Sequence, residues 1–247
     1  MKRILYLLMS SLLFSCTKTT VGSTAQSCCV SLIDDRTDSF ALSIEADPIL
    51  HLFGFSENKE KEATLRYVLI TDKKLNPINT FHLEDGISTE RENKNDIVQF
   101  REQLILSFYK QVRNGLHQTD QPIAKSFQHS ECFYTVASEL TALSQSKSTE
   151  RILIVYSDLQ ENSDLYNCYS IKGYRMLLDN PEKVKSLFDN SKQLPDNLKG
   201  IRAYFVFQPN TRQEDNTYLS MFRVYQSLLE ERGAIVSYQA TSKNYLP

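Results

Sequence analysis

Apolar residues along the chain fall into short, nearly continuous runs that are separated by longer, periodic segments. The runs are rich in Val, Ile, Leu, Phe and Tyr, and turn-forming residues bound them. Such runs predict strands that are buried on both faces, as in a parallel sheet covered by helices. The predicted buried strands are 29–34, 151–157, 201–207 and 234–238.

The segments between these runs carry apolar residues at steps of three or four positions, the pattern of an amphipathic helix. The clearest one contains Ile97, Phe100, Leu104, Phe108 and Val112. Other helices are predicted from the same periodicity or from Pro at a first helical turn. These predicted helices are 131–143, 181–191 and 218–231. For the first helix we expect a start at Asn95 or Asp96 and an end at Gly115, with a second such stop at Gly233.

One pair of strands has a different connection. Residues 64–70 and 78–83 both have strand character, and the segment 72–77 between them is rich in turn-forming residues. This spacing predicts a β-hairpin. The alternation of strands and helices elsewhere predicts right-handed crossovers. We therefore expect an α/β fold with a doubly wound, mainly parallel sheet, an antiparallel edge hairpin and helices on both faces.

Two of the predicted buried strands end in loops that carry acidic and hydroxyl side chains. The strand 29–34 runs into Asp35, Thr37 and Ser39, and the strand 151–157 runs into Asp158. Parallel strands bring their carboxyl ends to one edge of a sheet, so these side chains are expected to meet there. Carboxylate and hydroxyl oxygens are ligands of hard divalent cations. The loops therefore suggest a metal-dependent binding site.

The spacing Asp35-x-Thr37-x-Ser39 resembles the Asp-x-Ser-x-Ser motif of von Willebrand factor A (VWA) domains. Asp158 matches the later aspartate of that family. Ser130, which directly precedes a predicted helix, matches its Thr or Ser, and Thr119 is the alternative. The resemblance extends over about residues 27–240. It implies a metal site formed by Asp35, Thr37, Ser39, Ser130 and Asp158.

In VWA domains this site holds Mg²⁺ or a similar divalent cation, and a carboxylate of a partner protein fills an open coordination position. The resemblance thus implies cation-dependent binding of a partner that is not identified by the sequence, in an adhesion or scaffolding role. Ser, Thr and Asp after a strand are also common in turns and helix N-caps. A metal-free structural protein of the cell envelope is therefore an alternative function.

The first sixteen residues resemble a bacterial lipoprotein signal. Lys2 and Arg3 precede an apolar segment, 4–14, that is too short to span a bilayer as a helix. Leu13-Phe14-Ser15-Cys16 is similar to the lipobox, in which the Cys is acylated and becomes the first residue of the mature protein. We expect Cys16 to carry the anchor, with acyl chains such as palmitate inserted in the membrane.

This resemblance divides the chain into three parts. Residues 1–15 are the expected signal peptide, 16–26 the lipidated Cys with a Ser/Thr-rich tether, and 27–247 a VWA-like α/β domain. The remaining length of about 230 residues is enough for one sizeable core. The expected location is the cell membrane or the outer membrane, with the domain outside the cytoplasm.

The charge of the chain argues against nucleic acid as a partner. The formal net charge is −2, and loss of Lys2 and Arg3 with the signal peptide would change it to −4. No basic stripe with interleaved aromatic residues is present in the sequence to offset phosphate charge.

Besides Cys16, the sequence contains Cys28, Cys29, Cys132 and Cys168. Outside the cytoplasm these four residues could form disulfides, whose pairing sequence alone does not determine. Buried free thiols are the alternative. The paired Cys or His spacings typical of a zinc site are absent.

Sequence motifs of the common nucleotide-dependent and hydrolytic enzymes are also absent. The sequence has no Gly-x-Gly-x-x-Gly, P-loop or Gly-x-Ser-x-Gly motif. Neither acidic loop contains a His or Lys that could carry a proton. We therefore expect a binding protein and not an enzyme, and a metal-dependent hydrolase that uses Asp35 and Asp158 remains the enzymatic alternative.

Overall fold

The fold is given by a computed structural model that describes residues 26–37, 43–70, 76–86, 94–118 and 130–240. These residues form six strands and six helices. The strands are β1 (Ser27–Asp35), β2 (Glu62–Ile70), β3 (Ile78–Leu83), β4 (Glu150–Tyr156), β5 (Ile201–Val206) and β6 (Ile235–Gln239). The helices are α1 (Ala46–His51), α2 (Lys94–Gln118), α3 (Cys132–Gln145), α4 (Ile171–Asp179), α5 (Pro181–Asn190) and α6 (Arg212–Glu230).

The strands form one sheet in the order β3-β2-β1-β4-β5-β6. Strand β1 lies at the centre and pairs in parallel with both β2 and β4. Strand β3 pairs antiparallel with β2 at one edge of the described sheet. The predicted mainly parallel sheet with an antiparallel edge hairpin is confirmed.

Helices cover both faces of the sheet, as predicted. Neighbouring residues of β1 point to opposite faces, because side chains alternate along a strand. Leu32 belongs to the apolar layer beneath α1 and α2, and Ile33 belongs to the layer beneath α3, α4, α5 and α6. All nine residues of β1 are buried, which explains why its middle, Cys28 to Ile33, is apolar except at Ser31.

The start of α6 is six residues earlier than the periodicity predicts. Thr211 caps this helix, since its Oγ1 accepts a hydrogen bond from the Glu214 N–H at 3.2 Å. The Glu214 carboxylate in turn accepts from the Asn210 N–H at 2.7 Å. These two hydrogen bonds, a variant of the capping box in which the Glu accepts from the residue before the N-cap, fix the first turn. The first turn carries few apolar residues, so the apolar pattern alone missed it.

Gly115 does not end α2, and the prediction of a stop there is wrong. The helix continues to Gln118. Gly115 lies against the Phe81 ring of β3, and a Cβ atom at this position would be 2.3 Å from the ring Cζ. The glycine therefore permits a close helix–strand contact inside a helix.

Two short helices were not predicted. Helix α4 contains Gly173, which lowers helix propensity, and α1 is only six residues long. A cap marks α4, because Ser170 Oγ accepts a hydrogen bond from the Gly173 N–H at 3.0 Å. Glycine suits this site, since a Cβ at position 173 would overlap the Asn167 carbonyl oxygen.

Two further features concern membranes and disulfides. None of the described helices has the length and apolar character needed to cross a bilayer. Cys28, Cys29, Cys132 and Cys168 are all buried and are free thiols. Of the two alternatives left open by the sequence, the structure has buried thiols.

Candidate functional site

The candidate site lies where the order of the strands reverses. The chain leaves β1 to build β2 and β3 on one side, and later returns to build β4, β5 and β6 on the other. In open α/β sheets, ligands bind at the carboxyl ends of the strands beside such a switch point. Here the two strands are β1 and β4, whose carboxyl ends lead into the acidic loops. Their register aligns Asp34 with Tyr156, so that Asp35 lies level with Ser157.

Asp35 joins these two strand ends. Its side chain is 5% exposed. Its Oδ1 accepts hydrogen bonds from the Thr37 N–H at 3.0 Å and from the Thr37 hydroxyl at 2.6 Å. Its Oδ2 accepts from the Ser157 hydroxyl at 2.7 Å. One carboxylate thus holds two hydroxyl groups beside it, one from each loop.

The loop after β4 forms a tight turn around Asp158. Both oxygens of its buried carboxylate accept from Gln160, Oδ1 from the backbone N–H at 2.8 Å and Oδ2 from the side-chain amide at 2.7 Å. Leu159, between Asp158 and Gln160 in the chain, is buried. Its φ of 61° lies in the left-handed region that non-glycine residues rarely adopt. Such strain persists only where surrounding contacts enforce it, and it is concentrated at functional sites.

Ser130 is attached to the same loop through its backbone. Its N–H donates to the Asn162 carbonyl at 3.2 Å, and its carbonyl accepts from the Asn162 N–H at 2.9 Å. The Ser130 side chain is 3% exposed, and its Oγ has no hydrogen-bond partner among the described residues. Buried polar atoms are rarely left in this condition unless water or an ion meets them.

Glu161 belongs to the loop after β4, and its side chain reaches the start of α3. It is fully buried. Its Oε2 accepts from the Phe133 N–H at 2.8 Å and so caps this helix from a distant loop. Its Oε1 has no hydrogen-bond partner in the described part of the chain. Burial raises the pKa of Glu161 to about 7, although the Ser163 hydroxyl and the Phe133 N–H oppose this effect. The negative charge of Asp35 adds to the increase.

Asp34 points to the opposite side of β1 and does not belong to this group. Its Oδ2 accepts from Arg36 Nε at 2.7 Å and from the Tyr67 hydroxyl at 2.6 Å. Burial raises the pKa of the Asp34 carboxyl, and these two donors oppose the increase. At the end of β1, Asp34 and Arg36 are therefore hydrogen-bonded to each other on one side of the strand, and Asp35 and Thr37 on the other.

The predicted site residues have different outcomes. Asp35 and Thr37 share hydrogen bonds, Asp158 directly follows the serine that binds Asp35, and Ser130 is attached to the loop of Asp158. Ser39, Cys16 and the alternative Thr119 lie outside the described residues. The part of the chain that the structure describes contains no group of three or more His, Cys, Asp or Glu side chains placed to hold a metal.

Sequence reasoning missed Ser157 as part of this group. It ends the apolar run of β4, and we assigned it to the strand. Aligning the ends of the two predicted parallel strands would have placed its hydroxyl beside Asp35, which is the signal that could have identified it.

Comparison with known proteins adds little to this geometry. No protein-family model matches the chain, and no curated protein matches its sequence. Among solved structures, the fold is similar to that of the human COPII-coat protein Sec24c, with a TM-score of 0.37 and 8% sequence identity. The match covers 89% of this chain and 30% of that protein, so the chain spans less than a third of its length. A likeness at this level assigns neither family nor function.

Proposed function

We propose that this chain is a lipid-anchored envelope protein whose α/β domain binds a partner protein in a cation-dependent manner, as VWA domains do. One observation carries the proposal. At the switch point between β1 and β4, the buried Asp35 carboxylate holds the hydroxyls of Thr37 and Ser157, and the buried Asp158 carboxylate follows directly. This grouping of oxygen atoms occupies the position where ligands bind in such sheets.

The chemical type of the side chains supports a hard divalent cation as the ligand. Mg²⁺ and similar ions select carboxylate and hydroxyl oxygens, which are the donors present. The buried Ser130 hydroxyl, without a partner among the described residues, also favours a ligand at this place. We propose that Asp35, Thr37, Ser130 and Asp158 hold the cation, together with the predicted ligand Ser39.

The residues of this site have separate roles in the proposed function. A bound cation would offer an open coordination position to a carboxylate of the partner, which gives directional attraction without chemistry. The hydrogen bonds from Thr37 and Ser157 keep the Asp35 carboxylate oriented before any ligand arrives. Gln160 fixes both oxygens of Asp158 in the same way.

A metal-free structural role in a cell-envelope assembly is the second candidate. One observation favours it: the carboxylate oxygens of Asp35 and Asp158 already accept hydrogen bonds from their own loops. Such contacts are ordinary turn chemistry, and they would stabilise the two loops without an ion. The two candidates differ in whether partner binding requires a divalent cation.

Calorimetric titration separates these candidates. The full chain, purified in mild detergent, would be titrated with Mg²⁺, Mn²⁺ and Ca²⁺ beside the variants Asp35→Asn and Asp158→Ala. The matched control is Asp164→Ala, which removes an exposed carboxylate from the same loop region. We expect the wild type and the control to bind, and both site variants to lose at least tenfold in affinity while unfolding cooperatively.

Two results would contradict the cation site. The first is a wild type that binds none of the three ions, and the second is binding that survives both substitutions. Either result would leave the metal-free scaffold as the leading function. Asp35→Asn keeps the size of the side chain and one of its two acceptor oxygens, and cooperative unfolding of the variant shows that loss of binding is not loss of the fold.

The lipid anchor rests on the sequence of the first sixteen residues alone. If Cys16 is acylated, metabolic labelling with a palmitate analogue in a bacterial host should label the wild-type chain and not Cys16→Ser. The labelled chain should also sediment with membranes, because several acyl chains together give stable anchoring. An unlabelled wild-type chain in the soluble fraction would overturn this part of the proposal.

A further inference from the structure

An open cavity of about 640 Å³ lies beside the candidate site, between the first turns of α4 and α6. Its walls include Gln160, Tyr169 and Ile171 on one side and Thr211 and Glu214 on the other. The volume is within the range of pockets that bind small molecules or side chains of partner proteins.

Apolar side chains on the rim of this cavity are exposed. Tyr169 is 58% exposed and Ile171 is 76% exposed. Leu178 does not line the cavity, but it lies seven positions beyond Ile171, on the same face of α4, and is 42% exposed. Adjacent exposed apolar residues around a concavity are typical of surfaces that bind another molecule.

The two charged residues of the cavity lining differ in the contacts that they make. Its acidic residue, Glu214, is engaged at the start of α6, where its carboxylate accepts the Asn210 N–H. Its basic residue, Arg175, is exposed and makes no ion pair with any residue that the structure describes. A guanidinium in this condition can bind a carboxylate through two parallel hydrogen bonds.

Gln160 connects this cavity to the candidate cation site. The same side chain that forms part of the cavity wall donates its amide to Asp158 Oδ2 at 2.7 Å. The cavity therefore opens one side chain away from Asp158, close enough for one short peptide segment to contact both places.

We propose that this cavity binds an acidic peptide segment of the partner protein, with an apolar side chain inside it and a carboxylate on Arg175. The inference rests on the proposed function, because the same segment would reach the cation at Asp35 and Asp158 with a second carboxylate. The cavity then decides which partner is bound, since a cation alone accepts any accessible carboxylate.

The test uses a phage-displayed library of random peptides, selected on the full chain in mild detergent with Mg²⁺ present. We expect the selected peptides to combine an apolar residue with neighbouring Asp or Glu. Arg175→Ala should weaken their binding about tenfold, as expected for loss of a charge-assisted hydrogen-bonded pair. Ile171→Ser should weaken it several-fold, because it removes part of the apolar rim.

Two matched controls keep these effects specific. Lys172→Ala removes the same charge one turn away on α4, outside the cavity lining, and Leu106→Ser removes an exposed apolar residue of α2. Neither should change peptide affinity. Recovery of no peptide, or peptides that are insensitive to Arg175→Ala and Ile171→Ser, would overturn the cavity as a binding site.

The design separates failure of this inference from failure of the proposed function. If the chain binds Mg²⁺ but the peptides bind Arg175→Ala and Ile171→Ser as tightly as the wild type, only the cavity inference is wrong. If the peptides depend on Arg175 and Ile171 but bind equally well in EDTA, the cavity stands and the cation-dependent function is wrong.

Discussion

Two buried glutamates, one within α3 and one in the loop that caps it, differ in how many hydrogen bonds their carboxylates accept. Glu139, 1% exposed, accepts from the Ser31 hydroxyl at 2.9 Å and from Arg66 through Nε at 2.8 Å and Nη2 at 2.9 Å. Glu161, fully buried, accepts from the Phe133 N–H through Oε2, and its Oε1 has no partner in the described residues.

The difference separates a structural network from a candidate site. A buried polar network whose members are all paired makes a core rigid and unique. Incomplete pairing of buried groups requires an explanation, such as an absent water or ion or a functional role. Glu139 of α3 bonds to residues in the middle of β1 and β2. Glu161 and Ser130 lie at the carboxyl ends of the strands. Incomplete pairing also occurs elsewhere among the described residues, for example at Arg232 Nε, but at Glu161 and Ser130 it coincides with the place where ligands bind in this kind of fold.

The largest effect is expected from breaking the complete network. Arg66→Met removes the positive partner of Glu139 and leaves a buried, uncompensated carboxylate. The free energy of unfolding should fall by about 3 kcal/mol, at the lower end for buried ion pairs that lose one member, because the Arg66 side chain is 27% exposed. Urea denaturation of both proteins measures this difference.

A double variant provides the control for this prediction. Arg66→Met combined with Glu139→Leu removes both charges and should be more stable than Arg66→Met alone, because no charge remains buried. A single variant within about 1 kcal/mol of the wild type would show that the network does not carry the stability assigned to it.

The next effect concerns the pH dependence of stability. The folded-state pKa of Glu161, about 7, lies above its ordinary value of 4.5. Between these pH values the native state binds more protons than the unfolded state, so stability falls as pH rises. At 1.36 kcal/mol per pKa unit, the loss from below pH 4.5 to above pH 7 is about 3 kcal/mol.

Glu161→Gln tests this effect, since the amide keeps the shape and an acceptor for the Phe133 N–H but does not titrate. Urea denaturation from pH 4 to 8 in EDTA should show that the wild type loses about 3 kcal/mol more than the variant over this range. Parallel pH profiles for the two proteins would mean that Glu161 is already charged at low pH.

The smallest effect is expected at Ser130. Ser130→Ala deletes a buried hydroxyl that has no partner among the described residues, so the free energy of unfolding should stay unchanged or rise by up to about 1 kcal/mol. Ser157→Ala is the contrast, because its hydroxyl donates to Asp35, and it should lower stability by about 1–3 kcal/mol. A clear loss of stability in Ser130→Ala would show that the Ser130 hydroxyl stabilises the fold, as the network of Glu139 does.

Much of the fold could be predicted because burial leaves a direct trace in the sequence. Strands β1 and β4 are enclosed by helices on both faces, so their middle positions are mostly apolar. The turn-rich segment before Pro77 similarly identified the hairpin of β2 and β3. The parallel arrangement then implied that the loops after β1 and β4 share one edge, which the structure confirms.

Features that depend on contacts distant in sequence could not be predicted. Gly115 has the sequence appearance of a helix stop, but its meaning comes from the Phe81 ring of a strand more than thirty positions away. The capping of α3 by Glu161 likewise joins a helix to a loop that follows the next strand. The predicted ligands are single residues in short motifs, and their role as a metal site stays a prediction.

The hydrogen bond from Ser157 to Asp35 spans 122 positions of the chain. Closing a chain segment of this length costs conformational entropy, which must be overcome before the contact becomes stable. The two halves of the candidate site therefore come together only when β4 has joined β1. A ligand that bridges them would bind the completed native state and not its precursors, and the stability that it adds would grow with the logarithm of its concentration.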